Sequence, residues 1–147
     1  PEHVHNYCEL YAGITGKEVT IDDFIRMSEG VYNFQRVFNL RMGMGGRKSD
    51  WPPYRSMGPL TKEEYESRTE RYDKQLKELI GVDPEGKSTE EKMALHRQWR
   101  EDRYNKLCDA VYQRRGWTNN AIPTLETLQK FKIDFPEVVA VVTPHLG

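Results

Sequence analysis

The most apolar stretch of the chain begins just after Thr20, and its hydrophobic residues recur at the spacing of one helix face. Thr20 is a suitable N-cap, and Asp23 in the first turn is favourable near the positive end of the helix dipole. The pattern therefore predicts a central helix that supplies most of the hydrophobic core. The predicted core consists of Phe24, Met27, Val31, Phe34, Phe38, Leu107 and Val111.

Helical spacing also marks the segments on either side. Residues 2–15 carry apolar positions three and four apart, and Gly16 follows as a stop signal. Two capping boxes, at Thr61 and Ser88, each have a glutamate three residues later. They predict a long charged hairpin over residues 61–115, in which interleaved acidic and basic residues form solvated faces.

Two stretches lack this periodicity. Residues 43–60 are rich in glycine and proline, which predicts an ordered loop. After the connection at 117–123, Thr124 caps a short helix, and Pro136 begins a last one. The valines near the C-terminus leave a terminal strand as an alternative, although the chain offers no other strand to pair with it. We therefore predict an all-α fold of about five to six helices, organised as a single helical domain over residues 1–147.

Composition narrows the possible functions. The hydrophobic fraction of 37% is low and the charged fraction of 31% is high for a globular chain, which predicts either solvated helices or a surface that another domain covers. The net charge of −1 provides no field that would attract nucleic acid or an anionic membrane. The longest apolar run, Val138 to Val142, is far shorter than the roughly 20 residues of a membrane span. With no signal peptide recognisable, we expect a cytoplasmic location.

The sequence offers few candidates for metal chemistry. Cys8 and Cys108 are a hundred residues apart and no CxxC motif occurs, so we expect no metal, cluster or pterin to bind to this chain alone. His3 and His5 would point apart on a helix. His96 lies on the inner side of its predicted helix, where a buried histidine with its hydrogen bonds satisfied is a commoner finding than a general base.

One segment is locally basic. Six basic and two acidic residues lie between Arg26 and Arg55, and arginine is well suited to bind phosphate and carboxylate groups. One interpretation is that Arg41 caps its own helix while the other basic residues bind acidic residues of a neighbouring domain. The other is that the segment borders a substrate or cofactor. The candidate residues for anionic groups are Arg41, Arg47, Lys48 and Arg55.

Two motifs resemble a known family. The run from Gly30 through Asn39 to Gly43, continued by Arg47-Lys48, Asp50 and Pro52, is similar to the G-x-x-x-L-x-R-x-[FW]-N-x-R-x-G motif and to the R-K-x-D motif, followed by a proline, of aldehyde ferredoxin oxidoreductases. Tyr112 to Trp117, followed by Ile122-Pro123-Thr124, resembles that family's Y-x-x-R-G-W and G-[IV]-P-T ending. Three positions depart from the motifs: Phe34 stands where leucine is usual, Met42 where an acidic residue is usual, and Ala121 where glycine is usual.

The resemblance implies a helical C-terminal domain of a tungsten-bis-pterin oxidoreductase with one 4Fe-4S cluster. The family's cluster and pterin motifs lie upstream and do not occur here, so the chain is expected to be inactive alone and part of a longer polypeptide. Its implied partners are those upstream domains and a ferredoxin or electron-transfer subunit. Within the motifs, Asn39, Gly43, Gly116, Trp117 and Pro123 are expected to be structural.

The resemblance leaves two substrate classes open, aldehydes and aromatic acyl-CoA thioesters. The charged hairpin is longer than in simple aldehyde-oxidising members and looks more like the large subunit of tungsten-containing benzoyl-CoA reductases. A different class of function also remains open, a stand-alone helical interaction subunit without catalysis.

Overall fold

The computed structural model describes residues 2–146, and within them it contains seven α-helices and no β-strand. The all-α class predicted from the sequence is confirmed, with more helices than expected. The terminal strand is absent, since Pro136–Val142 is helical. The contacts between Cα atoms divide the chain into two compact units. Unit 1 runs up to Asp50 and resumes at Tyr112, and unit 2 spans Trp51–Val111. The single helical domain over 1–147 stays a prediction.

The helices begin and end at the signals that the sequence carries. Thr20 and Asp23 form a complete capping box, and Gly16, Gly81 and Gly116 all adopt the left-handed conformation beyond a helix end. In chain order the helices are α1 Glu2–Thr15, α2 Ile21–Arg41, α3 Lys62–Glu66, α4 Thr69–Gln75, α5 Thr89–Arg115, α6 Leu125–Lys130 and α7 Pro136–Val142. Short 3₁₀ turns occur at Arg47–Asp50, Tyr54–Met57 and Thr143–His145, and a π-helical turn follows α4 at Leu76–Ile80.

Unit 1 has its hydrophobic core where α2 packs against α6 and α7. The buried members are Val37, Leu40, Ile122, Leu128, Val138 and Val142. Burying an aliphatic side chain of this size stabilises the fold by about 1.5–3 kcal/mol. The C-terminal valines that left a strand as an alternative therefore contribute a helix face to this core.

The core predicted from the apolar pattern is wrong. Met27, Val31, Phe34 and Phe38 are exposed and Phe24 is half-buried, while α2 turns Asn33 and Arg36 inward beside Val37 and Leu40. Leu107 and Val111 on α5 are exposed too, and the buried residues of that part of α5 are Cys108 and Tyr112. The polar face of α2 is buried because its side chains form a set of long-range hydrogen bonds, described below.

Unit 2 is organised around aromatic rings. Tyr65 on α3 stacks on Tyr72 of α4 with ring centroids 4.9 Å apart, and both rings contact His96 of α5 edge-on. His96 is buried, and its Nε2 lies 2.9 Å from the Tyr72 carbonyl oxygen. Burial lowers the pKa of His96, which favours the neutral ring. This is the satisfied histidine that the sequence indicated, although the first helix of the predicted hairpin is interrupted at Ser67 and Arg68.

Candidate functional site

A partly buried ion pair anchors the loop that follows α2. Arg36 donates through both terminal nitrogens to Asp50, at 2.7 and 2.5 Å, and its Nε donates to the Ala121 carbonyl at 3.0 Å. The Tyr112 hydroxyl donates to the same carboxylate at 2.7 Å. A bidentate arginine–carboxylate pair fixes both distance and orientation. The 3₁₀ turn Arg47–Asp50 is therefore held against α2.

The ionisation of Asp50 follows from these contacts. Burial alone would raise the pKa of Asp50, but the hydrogen bonds from Arg36 and Tyr112 outweigh it and leave this pKa below its usual value. Asp50 is thus a carboxylate at neutral pH. Its charge is committed to Arg36, so we assign it a structural role.

Trp117 extends this cluster towards the middle of α2. Its Nε1 donates to the Asn33 side-chain oxygen at 2.7 Å, and its ring stacks on Tyr32 and Tyr112. The Arg36 guanidinium lies 4.9 Å from the centroid of the Trp117 ring. We call Asn33, Arg36, Asp50, Tyr112 and Trp117 the polar cluster.

The corner that positions Trp117 is built on Gly116. The φ of Gly116 is +70°, and a Cβ there would lie 2.3 Å from the Thr127 hydroxyl oxygen. The Gly116 carbonyl accepts hydrogen bonds from the hydroxyls of both Thr124 and Thr127, at 2.9 and 2.7 Å. Trp117 and Pro123 then form an isolated antiparallel bridge. Only glycine fits this position without strain.

The motif residues at the end of α2 shape a tight turn. The Asn39 carbonyl accepts from the backbone of Met42 and Met44, and Gly43 has a φ of +79°. A Cβ on Gly45 would lie 3.1 Å from Asn39 Cβ and from the Leu40 nitrogen. These glycines let the chain reverse directly over the last turn of α2.

A cavity of about 360 Å³ opens beside this turn. Its walls include Gly43, Arg47, Lys48, Asn120, Ile122 and His145, and none of the described residues that line it is acidic. We call it the basic cavity. His145 carried no signal in the sequence, because it lies almost a hundred residues from the loop that it joins.

The four candidate residues have different surroundings. Arg47 is half-buried and donates to the Asn119 carbonyl at 3.1 Å, while Lys48 is exposed at the cavity wall and has no hydrogen bond or ion pair within the described residues. Arg41 lines a separate apolar groove of about 270 Å³, which also includes Phe38. Arg55 belongs to unit 2, where it pairs with Glu64 at 3.3 Å. The structure thus brings Arg47 and Lys48 together at one cavity.

The described residues do not provide a metal-binding set. No group of three or more His, Cys, Asp or Glu side chains among them could hold a metal ion. Cys8 and Cys108 are both buried and free. Likewise, no helix in the described part of the chain is long and apolar enough to cross a membrane.

The sequence is similar to one known protein family. A family model described as aldehyde ferredoxin oxidoreductase, domains 2 and 3, matches residues 1–133. No similar protein was found among curated proteins or among solved structures. The matched region includes α1 to α6, the polar cluster and every part of the basic cavity except His145. The chain therefore belongs to the aldehyde ferredoxin oxidoreductase family.

Proposed function

We propose that this chain is the helical part of a tungsten-pterin, iron–sulfur oxidoreductase, where it borders the substrate and cofactor region and braces the neighbouring domains. The observation that carries the proposal is the basic cavity. Arg47, Lys48 and His145 line it, and no acidic side chain of residues 3–146 does. Such a wall favours an anionic group, since no carboxylate competes for the positive charge.

The cavity is pre-formed by the chain itself. The Arg36–Asp50 pair holds the 3₁₀ turn in place, and Arg47 is anchored by its backbone nitrogen, which donates to the Asn120 carbonyl at 3.0 Å. A rigid wall binds a ligand without the entropy cost of ordering a loop. Among the basic residues, Lys48 is best placed to contact an anion, because its ammonium group is not engaged elsewhere in the described residues.

Bracing is assigned to the outer face of α2. Val31, Phe34 and Phe38 are exposed there, and the adjoining groove contains Phe135 and Val141. An apolar face of this kind on a soluble protein marks a contact surface. We propose that an upstream domain of the same polypeptide covers it.

The chemistry itself is assigned to other domains. The family implies a tungsten-bis-pterin centre and a 4Fe-4S cluster in the intact enzyme, but the described residues offer no ligand set for either. This chain's role is therefore to bind and orient an anionic part of the substrate or cofactor. We propose an aldehyde or an aromatic acyl thioester as substrate, a ferredoxin or electron-transfer subunit as redox partner, and a cytoplasmic location.

Charge reversal at Lys48 in the intact enzyme tests the role of the cavity. Lys48→Glu should lower kcat/KM by roughly tenfold or more, because a charge-assisted contact contributes about 1.5–3 kcal/mol. The melting temperature should change little, since Lys48 is exposed. Steady-state kinetics and a thermal melt measure both effects.

Lys17→Glu is the matched control, since Lys17 is also exposed in unit 1 but lies outside the cavity. Equal kinetics for the two variants would refute the proposed role of the cavity. A lower melting temperature with unchanged kinetics would instead identify Lys48 as a contact to a neighbouring domain.

A further inference from the structure

Unit 2 contains a second concave site that the proposed function does not use. A groove of about 500 Å³ runs along one face of α5. Its walls include Met57, Trp99, Arg100, Arg103, Tyr104 and Leu107. We call it the aromatic groove. Its volume lies within the range of roughly 300–1,000 Å³ typical of small-molecule sites, and its lining is mostly apolar, as in such sites.

The wall of the groove opposite α5 is formed by the segment 51–57. Contacts within unit 2 fix this segment in place. Trp51 packs edge-on against Tyr104, with ring centroids 5.6 Å apart. The Arg97 guanidinium lies 3.5 Å from the centroid of the Tyr54 ring and donates to the Tyr54 carbonyl at 3.2 Å. The segment 51–57 is therefore pinned to α5 at two points, and the groove is pre-formed.

Two guanidinium groups line the groove, those of Arg100 and Arg103. Neither Arg100 nor Arg103 forms a hydrogen bond or an ion pair within the described residues, although Arg103 lies over the Trp99 ring at 4.7 Å. By contrast, Arg97 on the same helix pairs with Glu101, and Lys92 pairs with Asp73. The groove thus has two positive charges and two large aromatic rings, and within the described part of the chain no acidic residue lines it.

We infer that the aromatic groove binds a nucleotide, with its base against Trp99 and Tyr104 and its phosphates at Arg100 and Arg103. Arginine combines the two required properties, because its planar group stacks on rings while its N–H fork binds phosphate oxygens. The i,i+3 spacing of Arg100 and Arg103 places two forks on neighbouring positions of one helix, which suits a diphosphate better than a single carboxylate. The Ser56 hydroxyl in the opposite wall adds one neutral hydrogen-bonding group.

Titration of ADP into the protein, followed by calorimetry and tryptophan fluorescence, tests the inference. ADP should bind with a Kd below about 1 mM. Adenosine lacks the phosphates and pyrophosphate lacks the ring, so each should bind at least roughly tenfold more weakly than ADP. Pyrophosphate binding equal to that of ADP would reveal only a basic patch and would overturn the inference.

Substitutions of groove residues test whether ADP binds in the aromatic groove. Arg103→Gln and Trp99→Leu should each weaken ADP binding by roughly tenfold, which corresponds to the loss of one charge-assisted or stacking contact. Lys106→Gln is the matched control, because Lys106 is exposed on α5 but does not line the groove. Lys48→Glu should also leave ADP binding unchanged, which separates this site from the basic cavity.

Two results would end the proposal. One is that about 10 mM ADP produces no detectable heat or fluorescence change. This result is expected if acidic residues of another protein segment fill the groove. The other is ADP binding that Arg103→Gln and Trp99→Leu leave as tight as Lys106→Gln does.

Discussion

α2 has a polar face that is buried and an aromatic face that is exposed. This is the reverse of the burial that the hydrophobic pattern predicts. Asn33 and Arg36 are 1% and 8% exposed, whereas Val31, Phe34 and Phe38 are 61%, 45% and 56% exposed. Both faces belong to one continuous helix within unit 1. Hydrophobicity alone therefore does not decide which face of this helix is buried.

Hydrogen bonding explains why the polar face can be inside. Every buried side-chain nitrogen or oxygen in the described residues has a partner, and Arg36 alone uses Asp50 and the Ala121 carbonyl. A polar group that keeps its hydrogen bonds loses little on burial, while an unpaired one costs about 1–3 kcal/mol. The apolar side chains Val31, Phe34 and Phe38 have no hydrogen-bonding groups and stay exposed, which is consistent with a surface made for contact with another domain.

The largest expected effect comes from breaking the ion pair. Asp50→Ala should lower the free energy of unfolding by about 3 kcal/mol, because it leaves the buried Arg36 guanidinium without the carboxylate that balances its charge. Phe38→Ser on the opposite face should change it by less than about 0.5 kcal/mol. Urea denaturation of the purified chain compares the two. A loss with Phe38→Ser as large as that with Asp50→Ala would show that the aromatic face belongs to the fold of the isolated chain.

The second largest effect on stability is expected at Gly116, in the corner that holds Trp117 over the polar face of α2. Gly116→Ala should cost about 2–3 kcal/mol, since left-handed strain of about 1–2 kcal/mol adds to a clash with the Thr127 hydroxyl and the loss of its hydrogen bond. Gly16→Ala is the matched control, because Gly16 has the same φ of +70° but no atom within 4 Å of the added Cβ. It should cost only the strain. Equal losses measured by thermal denaturation would argue against a close-packed corner.

The smallest effect tests the residue that supplies Arg36 with its carbonyl partner. Ala121 is buried with a φ of +66°, a conformation that favours glycine. Ala121→Gly should therefore leave the free energy of unfolding unchanged or raise it by up to about 1 kcal/mol, as strain is relieved while the chain gains some unfolded-state entropy. Ala140→Gly, at an exposed position within α7, should lower it by about 1 kcal/mol. Equal losses would mean that the positive φ of Ala121 costs the fold nothing.

Local signals in the sequence determined where most helices begin and end. Thr20, Thr61, Ser88 and Thr124 each cap the helix that follows them, and Gly16, Gly81 and Gly116 each end one. These signals act between residues three or four positions apart, so one sequence is enough to recognise them. The family motifs are recognisable for the same reason, and they include the loop in which Arg47 and Lys48 lie.

Only the tertiary structure decided which residues are inside and which meet at a site. The partners of Arg36 are Asp50 and Ala121, 14 and 85 positions along the chain, and His145 reaches a cavity whose other walls lie far upstream. Such contacts depend on how α2, α6 and α7 pack, and no short-range periodicity encodes them. A hydrophobic pattern records which face prefers to leave water, but not whether that face packs within this chain or against another domain. For α2, long-range hydrogen bonds placed Asn33 and Arg36 inside and left Val31, Phe34 and Phe38 exposed.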